Sequence, residues 1–387
     1  MSEWKKVKLK DCCHSISDGD HLPPPKSDSG VPFVTIANID ATNHIDFGNT
    51  MFVPYEYYNN LNDIRKAKFN DILYSVVGSF GKPVLIKENK PFAFQRHIAI
   101  LRPNNEIVDS RFLYYVMLSR DFYMQADTVA IGAAQRTISL TALRNMEVEL
   151  PSMEIQHRIA TILSRYDSLI ENYQKQIKLL EEAAQRLYKE WFIDLRFPGY
   201  ENTKIVDGLP EGWEKKKVDS IYNIKYGKNL STKLITDTGL YPVYGANGVI
   251  GYYDKANCNE QVVLITSRGN GSGDVLKTYH KDAFITNNSF IVTPLEGFEY
   301  CKLPFTFQFL TMANFRAVRT GAAQPQLTNQ SIHTVNVVLP DEKLIEKFCS
   351  ATIGMNDTII KYREQLRLLA EARDRLLPKL MSGEITV

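Results

Sequence analysis

The feature that most constrains this chain is a long internal repeat. The tetrapeptide Gly-Ala-Ala-Gln occurs at 132–135 and again at 321–324, an offset of 189 positions. Further identical residues follow in both copies at the same offset and without a gap. They are Leu150-Pro151 and Leu339-Pro340, Tyr173 and Tyr362, Gln176 and Gln365, Leu179-Leu180 and Leu368-Leu369, and Arg186-Leu187 and Arg375-Leu376. Such a match predicts two copies of one structural unit.

Upstream of these positions the two copies diverge. Trp4 matches Trp213 at an offset of 209, and Gly19 matches Gly227 at 208, so insertions and deletions separate the copies here. We therefore expect each copy to contain a variable globular segment, followed by a segment that the two copies share.

The shared segments are predicted to be long helices. Their apolar residues are spaced alternately four and three positions apart, which is typical of a coiled-coil seam. Ser152 is the expected N-cap of the first helix, which should end near Phe192. Asp341 is the expected N-cap of the second helix, which Pro378 and Gly383 should end. Because the two seams correspond through the repeat, we expect the helices to pack on each other as an antiparallel pair.

One polar position of the seam leaves two interpretations open. Gln176 and Gln365 are equivalent by the repeat and both fall on the predicted seam. A polar residue there can fix the register of a helix pair at some cost in stability. The alternative is that both side chains lie at the edge of the seam, in water.

The globular segments have the mixed pattern of an α/β domain. Short helices are predicted at 111–120 and 303–315. Strands are predicted at 33–36, 71–77, 84–86, 98–101 and 148–150, and in the second copy at 241–244, 262–266, 290–293 and 335–339. The predicted fold class is α+β, with two mixed α/β domains separated by an antiparallel pair of long coiled-coil helices in a pseudo-two-fold repeat. The expected boundaries are a first domain at 1–151, a first helix at 152–192, a linker at 193–211, a second domain at 212–340, and a second helix with a C-terminal tail at 341–387.

Several classes of catalytic and metal site are not indicated by the sequence. The glycines of 269–273 do not form a GxGxxG motif, and there is no GxxxxGK[ST] loop for ATP. The five cysteines form no CxxC pair, and the seven histidines show no metal-binding spacing. An Asn-Pro-Pro-Tyr or Asp-Pro-Pro-Tyr motif of amino-methyltransferases is also absent. We expect no intrinsic catalysis, no cofactor and no metal.

Charge and hydropathy point to a cytoplasmic protein without an obvious basic surface. The net charge is +2, with 17 basic and 17 acidic residues in 1–150 and 13 and 10 in 209–340. A free-standing nucleic-acid binder usually has a clearer basic excess. The N-terminus has no apolar signal region, and no apolar run is long enough to cross a membrane.

Three short segments carry a resemblance to a known family. They are Trp-Phe-Ile-Asp-Leu-Arg-Phe-Pro-Gly at 191–199, Gly-Leu-Pro-Glu-Gly-Trp-Glu at 208–214, and Leu-Pro-Lys-Leu-Met-Ser-Gly-Glu-Ile at 377–385. Together with the half-length repeat, they resemble the central region and the ending of specificity (S) subunits of type I restriction–modification enzymes. The resemblance covers essentially the whole chain.

The resemblance implies a non-catalytic, sequence-specific DNA-recognition subunit. Each globular domain would be a target-recognition domain for one half of a bipartite target in double-stranded DNA, and the helices would set the spacer. The implied partners are two methyltransferase (M) subunits and, in the full complex, restriction–translocase (R) subunits, which would carry out adenine methylation and restriction. Partner subunits would then supply much of the phosphate neutralisation that the modest charge lacks. The alternatives are part of a fused restriction–methylation system with unrecognised activity, and a paired-helix scaffold for protein interactions.

Candidate DNA-binding residues are found in polar and Gly-rich loops, because paired donors and acceptors are needed to recognise bases. Loop 77–82 is expected to correspond to 267–272, and 95–97 to 286–288. The candidates are Ser79, Lys82, Gln95, Arg96, Gln135 and Arg136 in the first copy, and Lys228, Asn247, Arg268, Asn270, Ser272, Asn287, Asn288 and Gln324 in the second. The alternative is that these loops are only tight turns.

Apolar residues of the linker region are the candidates for partner binding. Trp191, Phe192 and Phe197 are expected to be exposed, and an exposed apolar patch would suit a partner subunit.

Overall fold

The structure is a computed structural model, and it describes residues 4–21, 23–40, 42–133, 135–321 and 325–387. It divides into two compact units. Unit 1 comprises Met1–Asn172 with Leu366–Val387, and unit 2 comprises Tyr173–Gln365. Within the described ranges, no helix is both long and apolar enough to cross a membrane.

Unit 1 contains nine strands and four short helices among its described residues. The strands are β1 Lys5–Lys8, β2 Cys13–Asp18, β3 Val31–Val34, β4 Met51–Val53, β5 Ile72–Ser75, β6 Pro83–Leu85, β7 Ala93–Phe94, β8 Ile98–Pro103 and β9 Glu147–Leu150. The short helices are α1 Tyr55–Asn60, α2 Ser110–Leu118, α3 Arg120–Val129 and α4 Leu140–Asn145. The long helix α5 spans Met153–Tyr188 and continues as a π-helical turn, Lys189–Ile193.

The globular part of unit 2 contains eleven described strands and two short helices. The strands are β10 Ile205–Val206, β11 Leu209–Pro210, β12 Glu214–Lys217, β13 Tyr222–Tyr226, β14 Tyr241–Gly245, β15 Gly248–Tyr253, β16 Val263–Thr266, β17 Val275–Lys277, β18 Phe284–Ile285, β19 Ser289–Pro294 and β20 Asn336–Leu339. The short helices are α6 Leu303–Met312 and α7 Asn329–Ile332. The second long helix, α8, spans Glu342–Met381.

The two units have the same sheet topology, so the predicted repeat is confirmed. A four-stranded sheet has the order β2-β8-β5-β6 in unit 1 and β13-β19-β16-β17 in unit 2. A three-stranded sheet has the order β4-β3-β7 or β15-β14-β18, and its second pair is parallel in both units. The first and last strands of each copy pair as β1-β9 and β12-β20. Unit 2 adds the hairpin β10-β11.

Each unit buries an apolar core between its four-stranded sheet and its helices. In unit 1, Tyr74 of β5 and Phe112 of α2 are in one cluster with Leu163 of α5 and Leu380 of α8. The unit 2 cluster joins Phe290 of β19 and Phe305 of α6 to residues of both long helices. The long helices are therefore part of each core, which explains why they need only a narrow apolar stripe.

The long helices run antiparallel in unit 2, as predicted. Tyr173 of α5 stacks on Tyr362 of α8, with ring centroids 4.7 Å apart, and Tyr188 contacts Phe348 at 5.8 Å. Residue numbers rise in one helix as they fall in the other, so the directions are opposite. In unit 1, Arg373 of α8 donates to Asp167 Oδ1 at 2.9 Å.

The predicted helix ends are partly correct. Asp341 caps α8, since its carboxylate accepts from the backbone N–H of Lys343 and Leu344 at 3.1 and 3.2 Å. Ser152 directly precedes α5. The prediction that Pro378 and Gly383 end α8 is wrong for Pro378, because the helix continues to Met381; Gly383, at φ 72°, lies just beyond that end. A proline removes only one backbone bond here, and Leu380, fully buried in the core, holds the last turn in place.

The predicted strands and short helices are present, with ends shifted by at most three residues. The helix predicted at 111–120 is Ser110–Leu118, and Ser119 separates it from α3. The strands that the prediction missed include β1 and β12, whose sequences are Lys-Lys-Val-Lys and Glu-Lys-Lys-Lys. They lack an apolar alternation because each pairs with only one neighbour and is largely exposed.

Candidate nucleic-acid interface

Three loop segments of unit 1 meet beside the end of β5. The backbone N–H of Val76 donates to His97 O at 2.9 Å, which joins the β5–β6 loop to the turn before β8. Gly78 donates to Arg136 O at 3.0 Å, and Ile138 donates to Val76 O at 2.8 Å. These bonds hold the candidate loops 77–82, 95–97 and 135–138 in one cluster.

Unit 2 builds the same cluster with the same bonds. Ser267 donates to Asn288 O at 2.8 Å, Gly269 donates to Pro325 O at 3.0 Å, and Leu327 donates to Ser267 O at 2.8 Å. We call this shared arrangement the loop frame. Its backbone is common to both units, so what differs between them is the set of side chains that it presents.

A fourth segment joins the frame in each unit. Arg96 donates through its backbone to Asp20 O at 3.1 Å, and Asn287 donates to Lys228 O at 3.0 Å. Asp20 and Lys228 directly follow Gly19 and Gly227, the pair that the sequence repeat had aligned. A Cβ on Gly19 would lie 2.2 Å from a backbone oxygen, and one on Gly227 2.3 Å, so only glycine permits this close approach.

The bonds correct one predicted correspondence. Val76 occupies the position of Ser267, so Val77 corresponds to Arg268, and the expected alignment of 77–82 with 267–272 is wrong by one residue at its start. The correspondence of 95–97 with 286–288 is supported by the bonds of His97 and Asn288. Loop periodicity does not reveal such a shift, because neither loop is a regular strand.

The unit 1 frame forms a cleft of about 330 Å³. Its walls include Asp18, Arg96, His97 and Gln135. The Arg96 side chain is exposed and has no hydrogen-bond or ion-pair partner among the described residues. Asp18 is held 2.8 Å from His21 Nε2. The cleft therefore combines a fixed carboxylate with an uncommitted guanidinium group.

The unit 2 frame presents a different set of side chains. Arg268 and Lys228 are exposed cations, again without a side-chain partner in the described part of the chain. Asn287 and Asn288 are half-buried. The exposed Asn247 lies beside the β16–β17 loop, since its Oδ1 is 3.4 Å from where a Cβ on Gly271 would be.

Some candidates are committed to structure. The Ser272 side chain is completely buried and donates to Ser267 O at 3.3 Å, so its prediction as a DNA contact is wrong for this conformation. Arg136 donates to the Asp127 carboxylate, and its guanidinium lies 5.4 Å from the Phe80 ring. Arg136 therefore ties α3 to the frame.

The remaining candidates lie around the frame. Gln135, Ser79 and Asn270 are exposed, while Gln95 and Lys82 are half-buried. Gln324 lies outside the described residues.

Sequence reasoning missed residues that support or border the frame. Arg319 donates to the Asn270 and Ser272 carbonyls at 3.4 and 3.5 Å, and Arg316 binds Asp274 at 2.5 Å. The backbone of Gln326 pairs with that of Arg268 in an isolated antiparallel β-bridge, and Gln326 is exposed. The repeat offset of 189 makes Gln326 equivalent to Thr137, and this equivalence could have identified Gln326 from the sequence.

In unit 1, two hydrogen bonds fix the side chain of Asp20 beside the frame. Asp20 accepts from Tyr57 Oη at 2.6 Å and from Arg65 at 3.4 Å. Burial, together with the Asp20 carboxylate, raises the pKa of Tyr57, so the phenol stays a donor. These bonds limit the freedom of Asp20 next to the Arg96 turn.

The expected exposed apolar patch is not present. Phe192 and Phe197 are buried in the unit 2 core, and Trp191 is half-buried. Phe192 packs on Phe305 and Phe348 at centroid distances of 5.5 and 5.3 Å. The prediction that these residues are exposed is wrong for both phenylalanines, because the π-helical turn directs the segment into the core.

Comparison with known proteins identifies the family. A model described as "Type I restriction modification DNA specificity domain" matches residues 1–182 and 210–365, one match for each copy of the repeat. The chain belongs to this specificity family. The family predicted from the sequence is thereby confirmed.

Curated relatives of this specificity-family chain are specificity subunits. It is 26% identical over 314 residues to the type I restriction enzyme MjaIX specificity subunit of Methanocaldococcus jannaschii, covering 74% of this chain and 71% of that one. It is 22% identical over 482 residues to the HindI specificity subunit of Haemophilus influenzae, covering all of both chains. The predicted membership of the specificity family agrees with these relatives.

A solved structure supports the fold. A crystal structure of a type I restriction–modification S subunit from Mycoplasma genitalium aligns with a TM-score of 0.62 at 20% identity, covering 98% of this chain and 96% of that one. The prediction of a two-copy α+β specificity fold is therefore confirmed.

Proposed function

We propose that each loop frame contacts one half of a bipartite DNA target. The observation that carries this proposal is that a common backbone frame presents different side chains at corresponding positions. Val77 corresponds to Arg268, and Arg96 to Asn287. A repeated reader with two different half-sites requires this combination of constant frame and variable side chains.

The side chains that each loop frame presents indicate which bases its half of the DNA target contains. Arginine donates two hydrogen bonds to the O6 and N7 of guanine, and asparagine forms a bidentate pair with the N6 and N7 of adenine. We therefore assign Arg268 and Asn287 to a guanine and an adenine in the second half-site. Arg96, with its free guanidinium, is assigned to a guanine in the first half-site.

The proposed DNA-binding protein acts within a complex. A net charge of +2 does not provide the phosphate contacts on which duplex affinity mainly depends. Two methyltransferase subunits would add this charge and methylate adenine, and restriction–translocase subunits would join them. The proposed compartment is the cytoplasm. The proposed domains are 1–151 and 212–340, and the helices at 152–192 and 341–387 would set the spacer.

Methylome sequencing tests this function directly. The chain is expressed with its methyltransferase subunit in a host that lacks other adenine methylation. The expected result is a split motif methylated on both strands. Replacing 1–151 with the corresponding domain of another family member should alter one half of the motif, and replacing 212–340 should alter only the other half.

Two results would count against the proposal. One is a continuous, undivided motif. The other is a single-domain replacement that alters both halves while the complex still methylates DNA. A purified complex that binds unrelated duplex as tightly as the methylated motif would likewise argue for a scaffold rather than for sequence recognition.

A further inference from the structure

Unit 2 contains a cavity of about 450 Å³ that is separate from the loop frame. It is lined by residues of both long helices, of β17 and of α6. Its most unusual wall residue is Lys277 at the end of β17, whose relative exposure is only 9%. A lysine is rarely buried to this extent without a charged partner.

Lys277 has only a neutral hydrogen-bond partner. Its ammonium group donates to Asn356 Oδ1 at 2.9 Å and lies 5.0 Å from the Phe307 ring centroid. Within the described ranges, no carboxylate is within ion-pair distance of Lys277. One acceptor for three N–H donors leaves the cation incompletely satisfied.

The nearest acidic group is already occupied. Glu181 Oε1 accepts from Tyr279 Oη and from Arg363, both at 3.2 Å. The guanidinium of Arg363 also lies 3.8 Å from the centre of the Tyr279 ring. These contacts engage Glu181 with Arg363, so Glu181 does not form an ion pair with Lys277.

The equivalent residues of unit 1 show which chemical groups unit 2 lacks at this cavity. The repeat offset of 189 equates Asn356 with Asp167 and Ala184 with Arg373. Helices α2 and α6 begin at Ser110 and Leu303, and their shared burial pattern equates Tyr115 with Gln308. The strand registers equate Lys277 with Leu85.

In unit 1 these positions form a closed cluster. Tyr115 Oη donates to Asp167 Oδ2 at 2.5 Å, and Arg373 donates to Oδ1 of the same carboxylate at 2.9 Å. The chain thus supplies an aromatic ring, a carboxylate and a cation. In unit 2 the ring is replaced by Gln308, the carboxylate by Asn356 and the arginine by Ala184, and a cavity lies there instead.

We propose that the unit 2 cavity binds a small arylcarboxylate. Its carboxylate accepts hydrogen bonds from the ammonium of Lys277 and the side-chain amide of Asn356. Its ring packs against Phe307, Met355 and Ile359, which line the cavity. The ligand thereby supplies the ring and the carboxylate that Tyr115 and Asp167 supply in unit 1.

The energetics favour an anionic occupant. Burial lowers the pKa of Lys277 to about 8, since the charged form is poorly solvated. A bound carboxylate would provide the missing counter-charge in a low-dielectric site. The volume lies within the range of small-ligand pockets. This inference does not depend on the proposed function.

Isothermal titration calorimetry of the full chain with benzoate, phenylacetate and indole-3-acetate tests it. Saturable binding of at least one acid is expected, and phenylacetamide, which lacks the charge, should bind at least about tenfold more weakly than phenylacetate. Lys277→Met should abolish binding, and Ala184→Arg, which installs the unit 1 residue, should block the cavity. Lys281→Met, at an exposed lysine of the same unit, is the matched control and should bind normally.

The thermal midpoint of each variant distinguishes a loss of binding from misfolding. Lys277→Met removes a buried charge, so its thermal midpoint should be unchanged or higher. Equal affinity for phenylacetate and its amide would overturn the proposal. So would undiminished binding by folded Ala184→Arg, or no saturable binding of any of the three acids at millimolar concentration.

Discussion

Tyr173 and Tyr362 are equivalent residues of the repeat, and they stack on each other with ring centroids 4.7 Å apart and planes inclined by 28°. Both rings lie in unit 2, where they are part of the antiparallel packing of α5 on α8. The repeat seen in the sequence therefore has a direct physical contact at its centre.

The tyrosine stack should contribute measurable coupling. Tyr173→Leu and Tyr362→Leu are each expected to lower the free energy of unfolding. The double variant should lose about 0.5–1.5 kcal/mol less than the sum, since the stack is lost only once. Urea denaturation of the four proteins measures this. Tyr55→Leu, at a tyrosine that is 62% exposed, is the control. Strict additivity would show that the rings do not interact.

Two glycines of the loop frames should not tolerate a methyl group. Gly19→Ala and Gly227→Ala place a Cβ 2.2 and 2.3 Å from the carbonyl oxygens of Phe94 and Thr286. Each should destabilise the protein by about 1–3 kcal/mol, because the backbone must shift. Gly354→Ala is the matched control in α8. It has no neighbour within 4 Å and should stabilise the protein by about 0.5–1 kcal/mol. Thermal denaturation that ranks the three variants equally would contradict the frame geometry.

The ion cluster at Glu171 predicts a pH dependence of stability. The hydrogen bond with His44, together with the Lys87 ammonium, lowers the pKa of Glu171 to about 2 from 4.5. The same hydrogen bond raises the pKa of His44 above 6.5. The Glu171 contribution is therefore present above about pH 4.5 and is lost as the pH falls toward 2. The His44 contribution is present below pH 6.5 and is lost as the pH rises through its raised pKa.

Comparing the urea midpoint of Glu171→Gln with that of the unsubstituted chain at several pH values tests this pH dependence. The difference in urea midpoint should be largest near pH 5.5, smaller at pH 3, and intermediate at pH 8, where Lys87 remains charged. Glu154→Gln removes the exposed pair with Arg158 and should have little effect at any of these values. A difference for Glu171→Gln that is independent of pH would show that the cluster is not formed in solution.

Two arginines of the unit 1 frame should have different roles. Arg96→Ala, in the complex with methyltransferase subunits, should cost about 1–3 kcal/mol of affinity for the specific target and relax the preference in one half of it. Arg136→Ala should instead lower stability and leave the base preference unchanged, since Arg136 is bound to Asp127. Fluorescence anisotropy with single-base target variants measures both.

The opposite pattern would reassign the two residues. If Arg136→Ala changed the preferred base while Arg96→Ala changed none, Arg136 would be the reader and its contact with Asp127 would be broken on DNA. Arg268→Ala offers the same test for the other half of the target, and it should leave the half affected by Arg96→Ala unchanged.

The sequence alone determined the architecture of this protein. The offset of 189 predicted the two copies and the helix pair, and Asp341 predicted the start of the second helix, because seams and caps depend on neighbours along the chain. Linker and C-terminal motifs were sufficient to identify the family. The same sequence predicted that Arg96 and Arg268 lie in loops between strands.

The tertiary structure decided where individual side chains point. Ser272 and Phe192 are buried despite lying in segments that were expected to be exposed. Val76, rather than the expected Val77, corresponds to Ser267. The segments of each frame are distant along the chain, from Asp20 to Ile138 in unit 1 and from Lys228 to Leu327 in unit 2, and the hydrogen bonds between them follow no local period. The cavity at Lys277 arises in the same way. It depends on residues of four elements whose proximity only the packed core creates.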